Sequence, residues 1–225
     1  LILQLTETLR ASDVVKVSYS GTQVADGIGN TLAGFSNRTL TYLVSDQSIS
    51  APAYSYTTLA LAGMNNLNIT GNDDDTILLG NAGDNLLWGG GGADRLTGGL
   101  GRDTFVVGAL SDSLLIHPVT GRSGMDWITD LAIGTDIIQG LQPIAPNELV
   151  RSSSSDPLGA AALGTLLTAA DLPALGGAVV TMGVGSANPR TFLVLNDAVA
   201  GYNPSQDSLI ELTGYSGQIN DLRVI

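Results

Sequence analysis

The chain has 225 residues, 44% of them apolar, which excludes general disorder and is enough for one large or about two to three small folded units. A formal net charge of −12 makes nucleic acid an unfavourable partner, and the absence of cysteine removes disulfides and thiolate metal sites. Aromatic residues at 5% against 29 glycines favour thin β-structure over a thick aromatic core.

Residues 14–19, Val-Val-Lys-Val-Ser-Tyr, alternate in the manner of a half-buried strand, and residues 38–44 do so again after the turn-rich Asp26-Gly-Ile-Gly-Asn30. The two read as an antiparallel pair. Together with residues 1–5 they supply about three strands, fewer than a free-standing sandwich needs. The first predicted unit therefore spans residues 1–56, with a Ser/Ala/Pro-containing connector at 45–55. The chain opens Leu1-Ile-Leu-Gln-Leu5 without a basic n-region, so no cleavable signal peptide is visible, and Leu1 reads as a cut within a longer protein.

The second predicted unit, residues 57–106, contains one nine-residue unit written four times, at 71–79, 80–88, 89–97 and 98–106. Glycines in the first half of each unit permit a tight turn, and the eighth place holds Leu78, Leu87, Leu96 and Phe105. Glycine- and aspartate-rich stretches are usually plain turns or linkers, but four in-phase units with one apolar position point to a coil. Nine residues make half a turn of such a coil, so units n and n+2 stack with strands roughly 4.8 Å apart. The sixth place carries the chemistry: Thr76, Asn85, Asp94 and Asp103 stand there. Two full charges about 5 Å apart at an effective dielectric near 20 repel by roughly 3 kcal/mol. A hard divalent cation with oxygen ligands, above all calcium, converts that repulsion into attraction and couples folding to binding. Residues 62–70 keep the apolar eighth residue as Ile69 but carry Leu67 at the sixth place, and read as a cap.

These residues resemble the calcium-binding repeats-in-toxin (RTX) family, whose nonapeptide reads Gly-Gly-x-Gly-x-Asp-x-(large apolar)-x and folds as a parallel β-roll. The units at 89–97 and 98–106 satisfy every fixed position of that pattern. The resemblance implies Ca2+ ligands at the sixth-place Asp94 and Asp103, with first- and third-place carbonyls from Gly89, Gly91, Gly98 and Leu100. The earlier units depart from it. Asn85 offers a neutral oxygen, and in the first unit Asp74 replaces the fourth-place glycine while Thr76 replaces the acid, with Asp73 and Asp75 as compensating candidates.

The third predicted unit, residues 107–225, is β-rich with one or two short helices. Its start, with Asp112-Ser113, Asp126-Trp-Ile-Thr-Asp-Leu131 and Gly134-Thr-Asp-Ile-Ile138, resembles the segment after the repeats in serralysin-type secreted proteases. In that family some of these acids close the last calcium sites, which makes Asp112 and Asp126 candidate ligands. The alternative is that Asp112, Asp126, Asp130 and Asp136 are turn acids facing water. Residues 157–167 suit a short helix, Thr168-Ala-Ala-Asp171 suits the cap of a second helical turn, and residues 178–182, 191–195 and 208–212 read as an antiparallel sheet. With Arg190-Thr-Phe-Leu-Val-Leu-Asn-Asp197, Ala200-Gly-Tyr202, residues 207–217 and the closing Val224-Ile225, residues 161–225 resemble the bluetail C-terminal domain of cyanobacterial surface proteins. The ending Asp221-Leu-Arg-Val-Ile225 is similar to the extreme C-terminus of type I secretion substrates.

His117 is the only histidine, so a His-Glu-x-x-His zinc site cannot be built, and no nucleophile motif accompanies it. The most apolar tract, 158–185, is interrupted by Asp171, Pro173 and glycines and does not read as a membrane span. The sequence thus predicts a mainly β protein, a parallel β-roll between an N-terminal antiparallel segment and a C-terminal β-rich domain; the N-terminal segment is either the end of an Ig-like repeat, which residues 15–20 and 24–30 resemble, or a small meander on the roll. Its expected function is non-catalytic: a secreted, calcium-binding C-terminal region of a larger extracellular or cell-surface protein, with calcium and the type I secretion apparatus as partners. The alternative is the secretion and folding module of an upstream enzyme such as a hydrolase.

Overall fold

The computed structural model describes residues 42–51, 58–116, 118, 121 and 123–225. The predicted strands at 1–5 and 14–19, most of 38–44, and His117 lie outside the described residues. Ten short strands follow one another as β1 (Tyr42–Ser45), β2 (Ile49–Ser50), β3 (Thr58–Leu61), β4 (Asn68–Asn72), β5 (Ile77–Leu79), β6 (Leu86–Gly90), β7 (Arg95–Thr97), β8 (Thr104–Val106), β9 (Trp127–Ile128) and β10 (Ile137–Gln139). Odd-numbered strands pair in parallel in one sheet and even-numbered strands in another, so the chain winds as a two-sided roll.

The winding follows from the repeat. Leu78 stands in register with Leu96, and Leu87 with Phe105, 18 residues apart, which is the predicted stacking of alternate units. The eighth residues form two inward columns, Leu59, Leu78, Leu96 and Ile128 on one side and Ile49, Ile69, Leu87, Phe105 and Ile138 on the other, all buried. In the three-residue strands the residues on either side of the inward one are half-buried or exposed, so the core there is one side chain thick.

The ladders reach beyond the predicted 57–106 on both sides. β1 pairs in parallel with β3, and β2, inside the predicted connector, pairs in parallel with β4. At the other end β9 stacks on β7 and β10 on β8. That last coil is offset from the repeats by an excursion containing a 3-10 turn at Leu110–Asp112, which lengthens the spacing from 18 residues to 32 on one side and 33 on the other.

β11 (Val150–Ser154), the single described α-helix α1 (Ala160–Leu166), β12 (Gly177–Met182), β13 (Arg190–Leu195) and β14 (Ser208–Glu211) form the rest. β12, β13 and β14 are antiparallel, as the sequence predicts, while β11 adds in parallel to β12. Thr168–Asp171 makes a turn, closed by the Thr168 hydroxyl on Asp171 at 2.6 Å, and no second α-helix. β14 pairs in parallel with β9, so the C-terminal strands continue one sheet of the roll into nine strands. The core is continuous too: the roll columns pack on with Val179, Leu193, Ile210, Leu212, Leu222 and Val224. A second apolar layer on the opposite face of β12–β14 packs Leu163 and Leu167 of the α1 region on Phe192, Val180 and Leu209. No helix among the described residues is long and apolar enough to cross a membrane.

Candidate metal sites along the edges of the roll

The turns before β5, β7 and β9 stack along one edge of the roll and place Thr76, Asp94 and Asp126 in a column. On this edge the Asp94 Oδ1 accepts the Thr76 N–H at 2.8 Å and the Thr76 hydroxyl at 2.7 Å. One coil further, the Asp126 Oδ1 accepts the Asp94 N–H at 2.9 Å. The turns before β6, β8 and β10 build the other edge. There the Asp103 Oδ1 accepts the Asn85 N–H at 2.8 Å, and the Asp136 Oδ1 accepts the Asp103 N–H at 3.0 Å. Each sixth-place carboxylate thus holds the turn before it through one oxygen.

The second oxygen makes the edges unusual. The Asp94 side chain is buried, and its Oδ2 has no hydrogen-bond partner among the described residues. Burial of an unpaired carboxylate is costly, and the group responds by resisting ionisation. Burial pushes Asp94 up to about 6, the nearby charges of Asp75 and Asp112 add to it, and the Thr76 bonds oppose it. Asp126 is pushed well above the ordinary carboxylate range by burial and then by Asp94. On the other edge burial raises Asp103 to about 6, with Asp136, Asp130 and Asp84 contributing and the Asn85 N–H opposing. Asp136 is raised by burial and by Asp130 against two backbone bonds. An acceptor-rich, donor-poor edge of this kind fits a hard cation with oxygen ligands. Among the described residues no three carboxylate, histidine or cysteine side chains converge, so such an ion would be held by one or two carboxylates together with backbone oxygens.

The turns leave no room for side chains at the carbonyls. A Cβ on Gly89 would sit 2.1 Å from the Asp94 Oδ2, and one on Gly90, whose φ is +92°, would sit 2.1 Å from the Asn72 carbonyl oxygen. The first-place carbonyls of Gly89 and Gly98 point at Gly71 and Gly80 in the turn above, where a Cβ would meet them at 2.0 and 2.1 Å.

The remaining predicted ligands fall into distinct environments. Asn85 satisfies itself: its Oδ1 accepts the Asn81 N–H, and its amide donates to the Leu67 carbonyl and to the Asn81 Oδ1. A carboxylate there would face the Leu67 carbonyl, so the neutral amide suits the end of the column beside the cap. Asp75 lies on the first edge, where its Oδ1 accepts the Ala93 N–H at 2.8 Å. Asp73 is exposed, with its Oδ1 3.4 Å from where a Cβ on Gly91 would lie. The Leu100 side chain is exposed, and its N–H donates to the Asn81 carbonyl in the turn above. Asp112 ties down the excursion, since its Oδ2 accepts the Trp88 indole N–H and the N–H groups of Gly108 and Ala109.

Asp136 and Asp130 belong to the second edge, and neither is among the ligands expected from the sequence. Asp130 clamps the turn beside it, accepting the Gly98 and Gly99 N–H groups at 2.9 Å each. A signal was present. Gly124-Met-Asp126-Trp-Ile128 and Gly134-Thr-Asp136-Ile-Ile138 repeat the Gly-x-Asp-x-apolar half of Gly92-Ala-Asp94-Arg-Leu96. The hydroxyls of Thr97 and Thr129, both in the ninth place of such units, meet at 2.8 Å.

A two-sided roll with glycine turns and a carboxylate column on each edge defines a class of cation-binding repeat structure. Residues 70–105 match the family described as RTX calcium-binding nonapeptide repeat, in four copies. The chain is similar to that family over this stretch, which is less than half its length. No curated protein matches the chain. RTX nonapeptide repeats bind calcium ions, and Ca2+ is the cofactor of this segment.

Proposed function

We propose that this chain is a non-catalytic, calcium-responsive C-terminal region of a larger extracellular or cell-surface protein, folding on calcium binding after type I export. The observation that carries the reading is the buried Asp94 carboxylate, with one oxygen bonded to Thr76, the other without a partner among the described residues, and Asp126 stacked beneath it. At neutral pH without a cation, ionising this column costs folding free energy; calcium at the millimolar level of extracellular fluids offsets it, even for sites of about 10⁻⁴ to 10⁻³ M.

Calcium-poor cytosol then holds the roll open, and its folding outside opposes the chain's return. The tail supports the same order of events: Leu222 and Val224 are buried, so this segment is accessible to a transporter only before folding. Localisation outside the cell, at its surface or free, rests on this coupling and on the likeness of the repeats.

Circular dichroism during a calcium titration tests the proposal. The chelated chain at pH 7 should lose β signal and regain it cooperatively with calcium, with a higher midpoint in Asp94→Asn and Asp126→Asn. A fully folded spectrum that thorough chelation leaves unchanged would overturn it.

A further inference from the structure

Five arginines lie among the described residues of this acidic chain, and three are engaged. Arg95 stacks over the Trp127 ring at 4.7 Å, Arg151 donates to the carbonyls of Pro146, Leu149 and Asn220, and Arg190 pairs with Glu211. The other two, Arg102 and Arg223, have no side-chain partner among the described residues, and both line the same cavity of about 340 Å³. That volume lies in the range of small-molecule sites. The cavity sits where the last coil of the roll, Gly134 to Ile137, meets the tail at Asp221 to Arg223.

We propose that this cavity binds an acidic sugar, with one carboxylate of the ligand held between the Arg102 and Arg223 guanidinium groups. Planar guanidinium groups match a carboxylate through paired N–H donors. The Thr135 hydroxyl and the Asp221 carboxylate, both exposed at the rim, supply a donor and an acceptor for sugar hydroxyls. Asp136 is turned away from that task, because its two oxygens accept the N–H groups of Asp103 and Ala132.

The two acids also set selectivity. Asp136 and Asp221 beside the arginines repel a dianionic phosphate or a polyacidic peptide more than a monoanion, so a single carboxylate on a polyhydroxyl frame is the best match. Ile138 bridges to Val224, and the Ile225 N–H donates to the Ile138 carbonyl, so the tail reaches the cavity only by docking on the last coil. The site therefore rests on the reading that calcium folds the roll, and sugar affinity should rise with calcium occupancy.

Isothermal titration at saturating calcium tests the site, with circular dichroism first showing that each protein is folded, so that failure of calcium-driven folding is seen separately. Glucuronate should bind and glucose should not. Arg102→Gln and Arg223→Gln should each weaken glucuronate by about tenfold while leaving the calcium-loaded spectrum unchanged. No glucuronate binding, equal binding by the variants, or tighter binding of inorganic phosphate or N-acetyl-aspartate amide would overturn the proposal.

Discussion

The roll and the C-terminal sheet share one ladder but are stabilised by opposite means. Along the roll each three-residue strand buries one side chain, whereas β13 and β14 are buried on both faces, toward the roll core and toward the α1 layer. The polar groups differ in the same sense. Glu211 is lowered despite burial because Arg190 bonds it, while Asp94, Asp103 and Asp126 are raised by burial and form no ion pair among the described residues. A thin core edged by stacked buried acids depends on a ligand; a core packed on two faces, whose raised acid Asp207 has both oxygens bonded to backbone N–H groups, does not. The C-terminal sheet is thus the part expected to stay ordered when calcium is withdrawn, with the roll growing from β9 on its edge.

Core truncation is the largest way to sharpen this contrast. Phe105→Ala in the roll and Phe192→Ala in the sheet remove fully buried rings, each at about 3–5 kcal/mol. The first should raise the calcium concentration needed for half-folding, while the second should lower the urea midpoint with or without calcium. Equal calcium dependence of the two variants would erase the distinction.

Carboxylate-to-amide changes come next, and they should differ in sign. Asp94→Asn keeps an acceptor for Thr76 and removes a buried charge whose pKa has moved from 3.8 to about 6, on the order of 3 kcal/mol. The calcium-free roll should therefore gain stability in urea while losing calcium affinity. Asp207, also raised to about 6 by burial, accepts N–H groups of Asp197 and Asn203 on its two oxygens. Asp207→Asn would turn an NH2 group toward one of those donors and should cost about 1–3 kcal/mol whether or not calcium is present.

Two glycines give a smaller contrast. Gly90 (φ +92°) faces the Asn72 carbonyl, whereas Gly185 (φ +88°) has open space around it. Both alanine variants carry the left-handed backbone strain of about 1–3 kcal/mol. Only Gly90→Ala adds a backbone clash, so thermal melts in calcium should show it as the more damaging change.

The last contrast is in pH. For Asp94 and Asp103 the folded pKa of about 6 exceeds the ordinary 3.8, so the folded chain binds more protons than the unfolded chain between those values. Calcium-free stability should then fall as pH rises from about 4 to 6. Calcium affinity should rise over the same window, because the metal binds the ionised form. Urea melts at pH 4.5 and 7 check the sign.

The repeats were legible because a nine-residue period writes the turn, the ligand and the core residue at fixed offsets, from Gly89 through Asp94 to Leu96. The coil after them was not read as a coil, because the excursion around Asp112 breaks the period. Asp126 is legible only through a family likeness, and Asp136 reads as a water-facing acid. β2 escaped notice because two residues carry no periodicity, and β11 because Val-Arg-Ser-Ser-Ser offers little apolar alternation. The antiparallel order of β12–β14 was readable from apolar runs and turns. Its join to the roll was not, since β14 meets β9 through a register that no local pattern encodes.

Amide hydrogen exchange with and without calcium at pH 7 tests the central claim most directly. The account predicts that chelation removes protection from Ile77–Leu79, Leu86–Gly90, Arg95–Thr97 and Thr104–Val106 while Gly177–Met182, Arg190–Leu195 and Ser208–Glu211 stay protected. Equal protection of both regions in the chelated protein, or loss of both together, would contradict it.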